Sequence, residues 1–406
     1  MQVVTSYKTK ILGYNEIFDE TMKIFREALA YIIDVADKEW ESLQGIDFSN
    51  KKQRFIEQLI HSAGKRVAKY DFDQKFFKYP SYLLRSTITT AIGVVSSYHS
   101  NLQNWEKGDK KAKRPRLQYN HYAFPTFYKG NTYEKTDDYD AQLKIYHKND
   151  WVWLPVKLRK SDVDYINRYK GHLIESAPTI EKSGKRWSLR FVFKEDTQLT
   201  KTQEIITAVD LGINNAATCS AMLSNGNIIG RKIIRFPIEQ DQLEHRTNKI
   251  KKAQQHGAAR TPRLWDLANN YNRTLSEKTA IAIVDFATSY GSDIVVFEHL
   301  DMQGKKRGSK KQRLHLWRKK AVITMVACKA HLLGLRISTV NPYNTSRLAF
   351  DGSGKVERGK YVKNGQEINN YSMCIFPSGK EYHCDLNASY NIGARYFIRE
   401  RLGFNT

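Results

Sequence analysis

A chain of 406 residues with 41% hydrophobic content has apolar material for more than one core, which excludes a disordered chain and suggests two or three domains. Its 66 lysines and arginines outnumber 42 acids, and the net charge of +24 is spread along the chain, so the first expected partner is a polyanion, most commonly nucleic acid. Four cysteines (Cys219, Cys328, Cys374, Cys384) exclude a disulfide scaffold, and no apolar run reaches the ~20 residues of a membrane span.

Met1 to Lys10 is polar, alternates as a short strand, and lacks the apolar centre of a signal peptide. The expected location is therefore the cytoplasm, with no membrane partner. From Glu16 the period changes: Phe18, Met22, Phe25, Leu29, Ile32 and Ala36 fall at steps of three and four and predict a helix. A second helix is expected from Lys51 to Val67. A third follows Pro80, with Leu84, Ile88, Ile92 and Val95 on one side. Together they predict a helical bundle over 11–105.

Lys107 to Arg116 carries six cations with Gly108 and Pro115, which argues against regular structure. It reads equally as a solvated linker or as a phosphate-contacting segment, with Lys110, Lys111, Lys113 and Arg114 the candidate contacts. Residues 117–195 read as β-rich, with Tyr119, Tyr122, Phe124, Phe127, Tyr128 and Tyr133 crowded together and Arg186 to Phe193 alternating as a half-buried strand. Such aromatics serve as core or as a base-stacking platform. The expected architecture is an oligonucleotide-binding-like β-barrel built from 1–10 and 106–198, with the helical bundle inserted into it.

Ile205 to Val209 is an uncharged, β-branched run that predicts a buried strand ending on Asp210, and Gly212 then lets the backbone turn. Ala216 to Met222 and Ile228 to Ile234 are the next strands, joined at the Asn225-Gly226 turn. Glu239 to Tyr290 is a long charged helical region broken near Gly257 to Pro262. Asp293 to Phe297 is another buried strand, ending on Glu298. A basic block follows: Lys305, Lys306, Arg307, Lys310, Lys311, Arg313, Arg318, Lys319 and Lys320, of which all but the last two are candidate nucleic-acid contacts. Ala321 to Leu333 is helical and closed by Gly334, Arg336 to Val340 is a strand, 341–380 is polar with weak periodicity, and Cys384 to Phe397 is helical with Asp385 near its start.

Asp210, Glu298 and Asp385 stand at comparable points: two end buried strands and the third opens a helix. A carboxylate at the end of a buried strand is costly unless a cation or donor meets it. Such groups suit phosphodiester hydrolysis, in which hard oxygen ligands hold two Mg²⁺ ions about 4 Å apart. Each signal also has a plain reading, since Asp385 fits an N-cap and Glu298 an ordinary ion pair. An Asp-Leu-Gly after a strand also opens the phosphate turn of an ATPase on the same fold, although no second glycine-rich turn accompanies it here.

The order of the three motifs resembles TnpB, the RNA-guided nuclease family of insertion sequences related to compact type V CRISPR effectors. Asp210-Leu211-Gly212-Ile213-Asn214-Asn215 is similar to the family's first RuvC motif, and Val295-Val296-Phe297-Glu298-His299-Leu300 to its second. Asp385-Leu386-Asn387-Ala388-Ser389-Tyr390-Asn391-Ile392 is similar to the third, with Ser389 where a second alanine is usual. Asn344-Thr345-Ser346 echoes the entry to the family's zinc ribbon.

The resemblance is sharp over about 205–400 and architectural before it. It implies an α/β RNase H-like (RuvC) domain over 199–340 and 381–406, with a degenerate ribbon over 341–380. It further implies a wedge barrel over 1–10 and 106–198, and a helical recognition lobe over 11–105. It also implies catalytic, metal-holding Asp210, Glu298 and Asp385, with Mg²⁺ (Mn²⁺ able to substitute), a guide RNA and target double-stranded DNA as partners, and a nucleoid-associated protein. The family's two Cys-x-x-Cys pairs are missing. Only Cys374 and Cys384, beside His383, remain, so no zinc is expected. A guide-dependent DNA-binding regulator with little cleavage, or a compact type V CRISPR effector, stands as the alternative; oligomeric state is left open.

Overall fold

The structure, a computed structural model, describes residues 1–14, 16–64, 66–108, 113–119, 122–171, 176–199, 204–212, 214–258, 260–299, 319–363 and 366–403. The chain is mixed α/β and divides into two compact units, one of Val4–Glu195 and one of Asp196–Thr406 with Met1–Val3. Among the described residues no helix is long and apolar enough to cross a membrane.

The first unit opens with β1 (Gln2–Leu12), followed by α1 (Asp19–Lys38), α2 (Trp40–Gln44), α3 (Ser49–Ile60), α4 (Phe72–Lys75) and α5 (Ser81–Lys107). The apolar stripe read from the sequence is the buried one: Phe25, Leu29 and Ile32 of α1 share a core with Leu84, Ile88 and Val95 of α5. The second helix stops at Ile60, seven residues short of the expected Val67. His61 takes extended backbone, and Ala63 and Arg66 pair across a tight turn that needs Gly64 at φ +59°. Val67 is left 85% exposed, so its apolar side chain gave no packing reason to prolong the helix.

The remaining elements of this unit are β2 (Tyr133–Lys135), β3 (Asp140–His147), β4 (Asp150–Leu158), α6 (Lys160–Lys170), β5 (Thr179–Ser183) and β6 (Arg186–Asp196). They form a six-stranded sheet in the order β2-β3-β4-β1-β6-β5, so the first strand of the chain sits inside a sheet whose other members follow the helices. Trp187, Leu189, Phe191 and Phe193 alternate into its core with Leu143, Ile145 and Val156, as the period of two requires. The β-rich reading of 117–195 missed α6, a helix whose Val163 and Ile166 lie three apart and pack on the same core.

The second unit contains β7 (Ile205–Asp210), β8 (Ala217–Leu223), β9 (Ile228–Ile234), α7 (Pro237–Gln255), α8 (Pro262–Ser289), β10 (Ile294–Glu298), α9 (Lys319–Leu332) and β11 (Arg336–Val340). After these come β12 (Glu357–Lys363), β13 (Gln366–Ile375), β14 (Glu381–His383) and α10 (Cys384–Leu402). The five-stranded sheet runs β11-β10-β7-β8-β9; β7, β8 and β9 are successive antiparallel neighbours, whereas β10 is parallel to both β7 and β11. The break between α7 and α8 falls at Gly257 (φ +84°) and Pro262, as expected. Segment 341–380 is more regular than its weak periodicity suggests: β12 and β13 form a hairpin, and β14 pairs with β13 to lead directly into α10.

Pleating assigns the two faces of the five-stranded sheet. Val209, Val295 and Phe297 pack with Ile283 and Phe286 of α8 and Val326 of α9. Ile206, Ala208, Ile294 and Val296 pack with Ile392, Tyr396 and Phe397 of α10. Gly393 is what lets α10 approach, since a Cβ there would stand 2.2 Å from Met222 Sδ and 3.3 Å from Ala208 Cβ.

Candidate functional site

Side chains alternate along a strand, so Asp210 follows Ile206 and Ala208 onto the face covered by α10, and Glu298 follows Ile294 and Val296 onto the same face. The register pairs Phe297 with Val209, which sets Glu298 and Asp210 side by side at the ends of neighbouring parallel strands. Asp385 lies in the first turn of α10, the helix that packs on this face. The three positions, 175 residues apart at their extremes, are thereby brought to one place.

Their proximity is felt electrostatically. The Asp210 carboxyl is pushed up to about 7, first by burial and then by the charges of Glu298 and Asp385, with Lys319 and Arg358 acting in the opposite direction. Glu298 is 8% exposed. Its Oε1 accepts from the Thr345 hydroxyl, and its Oε2 is 3.7 Å from the Lys319 ammonium. Burial pulls the Lys319 ammonium below its ordinary range, while Glu298 and Asp210 push it back up. Asp385 Oδ2 accepts from Asn215 Nδ2 at 2.5 Å, and Asn215 Oδ1 accepts from Arg235 Nε at 2.6 Å.

Asp385 is not the N-cap of α10, the plain reading open to it. His383 caps the helix, its Nδ1 accepting from the Asp385 backbone N–H at 3.2 Å, which leaves the Asp385 carboxylate for the pocket. Gly212 makes the turn that returns Asn215 towards Asp385, since a Cβ at 212 would meet the Asn215 carbonyl oxygen at 2.8 Å. Thr345 is held from below: Asn391 Nδ2 donates to the Thr345 and Leu348 carbonyls at 2.8 and 2.7 Å, and Asn387 Nδ2 to the Leu348 carbonyl at 2.8 Å. Both asparagines sit one turn apart on α10, so the helix that carries Asp385 also fixes the loop that carries the Glu298 partner.

Asn215, Lys319 and Thr345 are thus site residues that the sequence reading named only within motifs or a charge block. The signal for Lys319 was present in the period, because it stands three residues before Val322, seven before Val326 and eleven before Ala330, all buried. A lysine on such a stripe calls for a buried acid.

Among the described residues no three His, Cys, Asp or Glu side chains stand in a ready ligating set. Glu298 and Asp385 are instead turned to donors of the chain itself. The donor chemistry nevertheless fits hard divalent ions, since three carboxylates share a pocket in which burial, and then the charges of Glu298 and Asp385, disfavour the Asp210 anion. Cys374 and Cys384 belong to a small core with Ala349 and Phe376. The Cys374 thiol donates to the Tyr382 carbonyl oxygen at 3.4 Å. Of the expected nucleic-acid contacts, Lys113 and Arg114 are exposed. Lys110, Lys111, Lys305, Lys306, Arg307, Lys310, Lys311, Arg313 and Arg318 lie outside the described residues.

Residues 5–147 match the model of the Aq_aa04 family, which describes no chemistry. No curated protein matches the sequence. The chain is similar in structure to Cas12f1 solved by cryo-electron microscopy with sgRNA and target DNA: TM-score 0.54 at 15% identity, over 93% of this chain and 81% of that one. It is also similar to the mini-RNA-guided endonuclease CRISPR-Cas phi3, with a TM-score of 0.52 at 11% identity over 97% and 92% of the respective chains. The chain therefore shares the fold of these two proteins along nearly its whole length.

Proposed function

We propose that this protein is an RNA-guided DNA endonuclease of TnpB type that cleaves target DNA with Asp210, Glu298 and Asp385. The observation that carries the reading is the meeting of these carboxylates on one face of the β7–β10 sheet, where each raises the energy of the Asp210 anion. A sheet of three successive antiparallel strands followed by two parallel ones supports an RNase H-like, RuvC-type assignment for the second unit. The likeness to effectors solved with guide RNA and target DNA supports those two partners here, and the +24 charge suits lining their phosphates.

Asp210, Glu298 and Asp385 would hold Mg²⁺, with Mn²⁺ able to substitute. When bound, such ions supply Lewis acidity to the scissile phosphate and lower the pKa of the attacking water. The chain's own part is orientation. Thr345 and Lys319 fix Glu298, while Arg235 fixes Asn215 and through it Asp385. Zinc has no part in this reading, because two thiols and one histidine do not make a convincing tetrahedral set.

The test is purification with bound RNA, sequencing of that RNA, and incubation with Mg²⁺ and plasmids bearing matched or scrambled targets. Cutting of the matched plasmid alone is expected. Specific retention of the matched plasmid without cut ends would favour a guide-dependent regulator instead, and absence of co-purified RNA would remove the guided reading altogether.

A further inference from the structure

Lys319 belongs to the sheet-facing stripe of α9, in line with Val322, Val326 and Ala330, and is 7% exposed. A buried ammonium is costly unless an anion compensates it, and replacing it by an apolar residue would serve packing as well. The compensation is the candidate site itself: the ammonium stands 3.7 Å from Glu298 Oε2 and acts on Asp210. Thr345 holds the other Glu298 oxygen and Asn215 holds Asp385, so the chain's own donors meet these two acids, while Asp210 has the Lys319 charge acting on it.

We infer that Lys319 is a positioning residue: a built-in counter-ion that keeps Glu298 and Asp210 together in the metal-free protein and gives up its place when a divalent cation enters. This rests on the metal-site reading above. A hard divalent ion brings two charges to about 2.1 Å from a carboxylate oxygen, against one charge at 3.7 Å for the ammonium, so displacement is favourable once the ion is present. The lysine lets three acids share a pocket during folding, and its cost appears as weakened metal binding.

The experiment is Mn²⁺ titration calorimetry and thermal unfolding of the full chain freed of nucleic acid, for wild type, Lys319→Met, Lys319→Arg and Asp210→Asn. Lys319→Met removes the charge at similar volume. It is expected to lower the unfolding temperature in EDTA and to bind Mn²⁺ about 5- to 30-fold more tightly, the factor that one or two kcal/mol represents. Lys319→Arg, which keeps the charge, should bind within about twofold of wild type, since the charge and not the amine is invoked. A Lys319→Met protein that folds only when Mn²⁺ is present supports the same conclusion.

Unchanged or weaker Mn²⁺ binding in Lys319→Met, with wild type binding and Asp210→Asn not, overturns the counter-ion role and leaves the metal site standing. No difference between wild type and Asp210→Asn overturns both. Should Lys319→Met stay unfolded with and without Mn²⁺, Lys319→Gln is titrated in its place against the same expectations.

Discussion

Asp210→Asn in the metal-free protein is expected to stabilise the fold, and to do so more as the pH rises. The Asp210 carboxyl titrates near 7 in the fold against an ordinary value of 3.8. Below 3.8 it is protonated whether the chain is folded or not and costs nothing. Between the two values the unfolded chain alone ionises, so the fold loses about 1.4 kcal/mol for each pH unit. Above about 7 the loss is complete, at ~4 kcal/mol for a fully enclosed group. Partial exposure of the Asp210 side chain brings this to about 2–4 kcal/mol. Asparagine does not titrate. Denaturant unfolding in EDTA should therefore show the advantage of Asp210→Asn over wild type growing by roughly 0.5–2.5 kcal/mol from pH 5 to pH 8, about 1.6 kcal/mol having accrued below pH 5. In thermal melts that corresponds to about 1–10 °C. A pH-independent difference, or destabilisation at both pH values, would mean that burial and the neighbouring acids do not penalise the Asp210 anion as the geometry requires.

Thr345→Val removes the hydroxyl on Glu298 while keeping the side-chain shape, and should slow cleavage about 5- to 100-fold, as expected for a charged hydrogen bond. Thr345→Ser should stay near wild type, and equal rates in the two variants would contradict the orienting role. Gly393→Ala presses on Met222 and Ala208 and should cost about 1–3 kcal/mol. Combined with Met222→Ala, the two effects should be clearly non-additive in a double-mutant cycle, whereas simple addition would show that the helix approaches the sheet differently. Elemental analysis of the purified protein should find well under one zinc per chain, and one tightly held ion per chain would show that Cys374 and Cys384 have recruited further ligands.

The second unit was legible because its central strands are short, near-continuous apolar runs that each end on an acid. Ile206, Ala208 and Asp210, and Ile294, Val296 and Glu298, carry the alternation that sends two acids to one face. The glycine at 212 and the break at 257–262 mark turns by their own stereochemistry. The second helix was misjudged at its end because the turn at Ala63–Arg66 depends on a glycine dihedral that no periodicity announces. Helix α6 was missed because its charged residues diluted a short stripe. The hairpin β12–β13 carries a bulge at Arg358–Gly359, which breaks the alternation by which a strand is read from the sequence. Lys319 hid in a run of cations. It is distinguished from its neighbours only by its position on a buried stripe, a property of helix phase rather than of charge.

The proposed cleavage depends on one acidic pocket. Its most direct measurement is single-turnover cleavage of a guide-matched duplex in Mg²⁺ by RNA-loaded wild type and by Asp210→Asn, Glu298→Gln and Asp385→Asn. Cutting by wild type alone, with all four proteins retaining their RNA, is the predicted result. Near-normal cutting by any one of the three substituted proteins would contradict it.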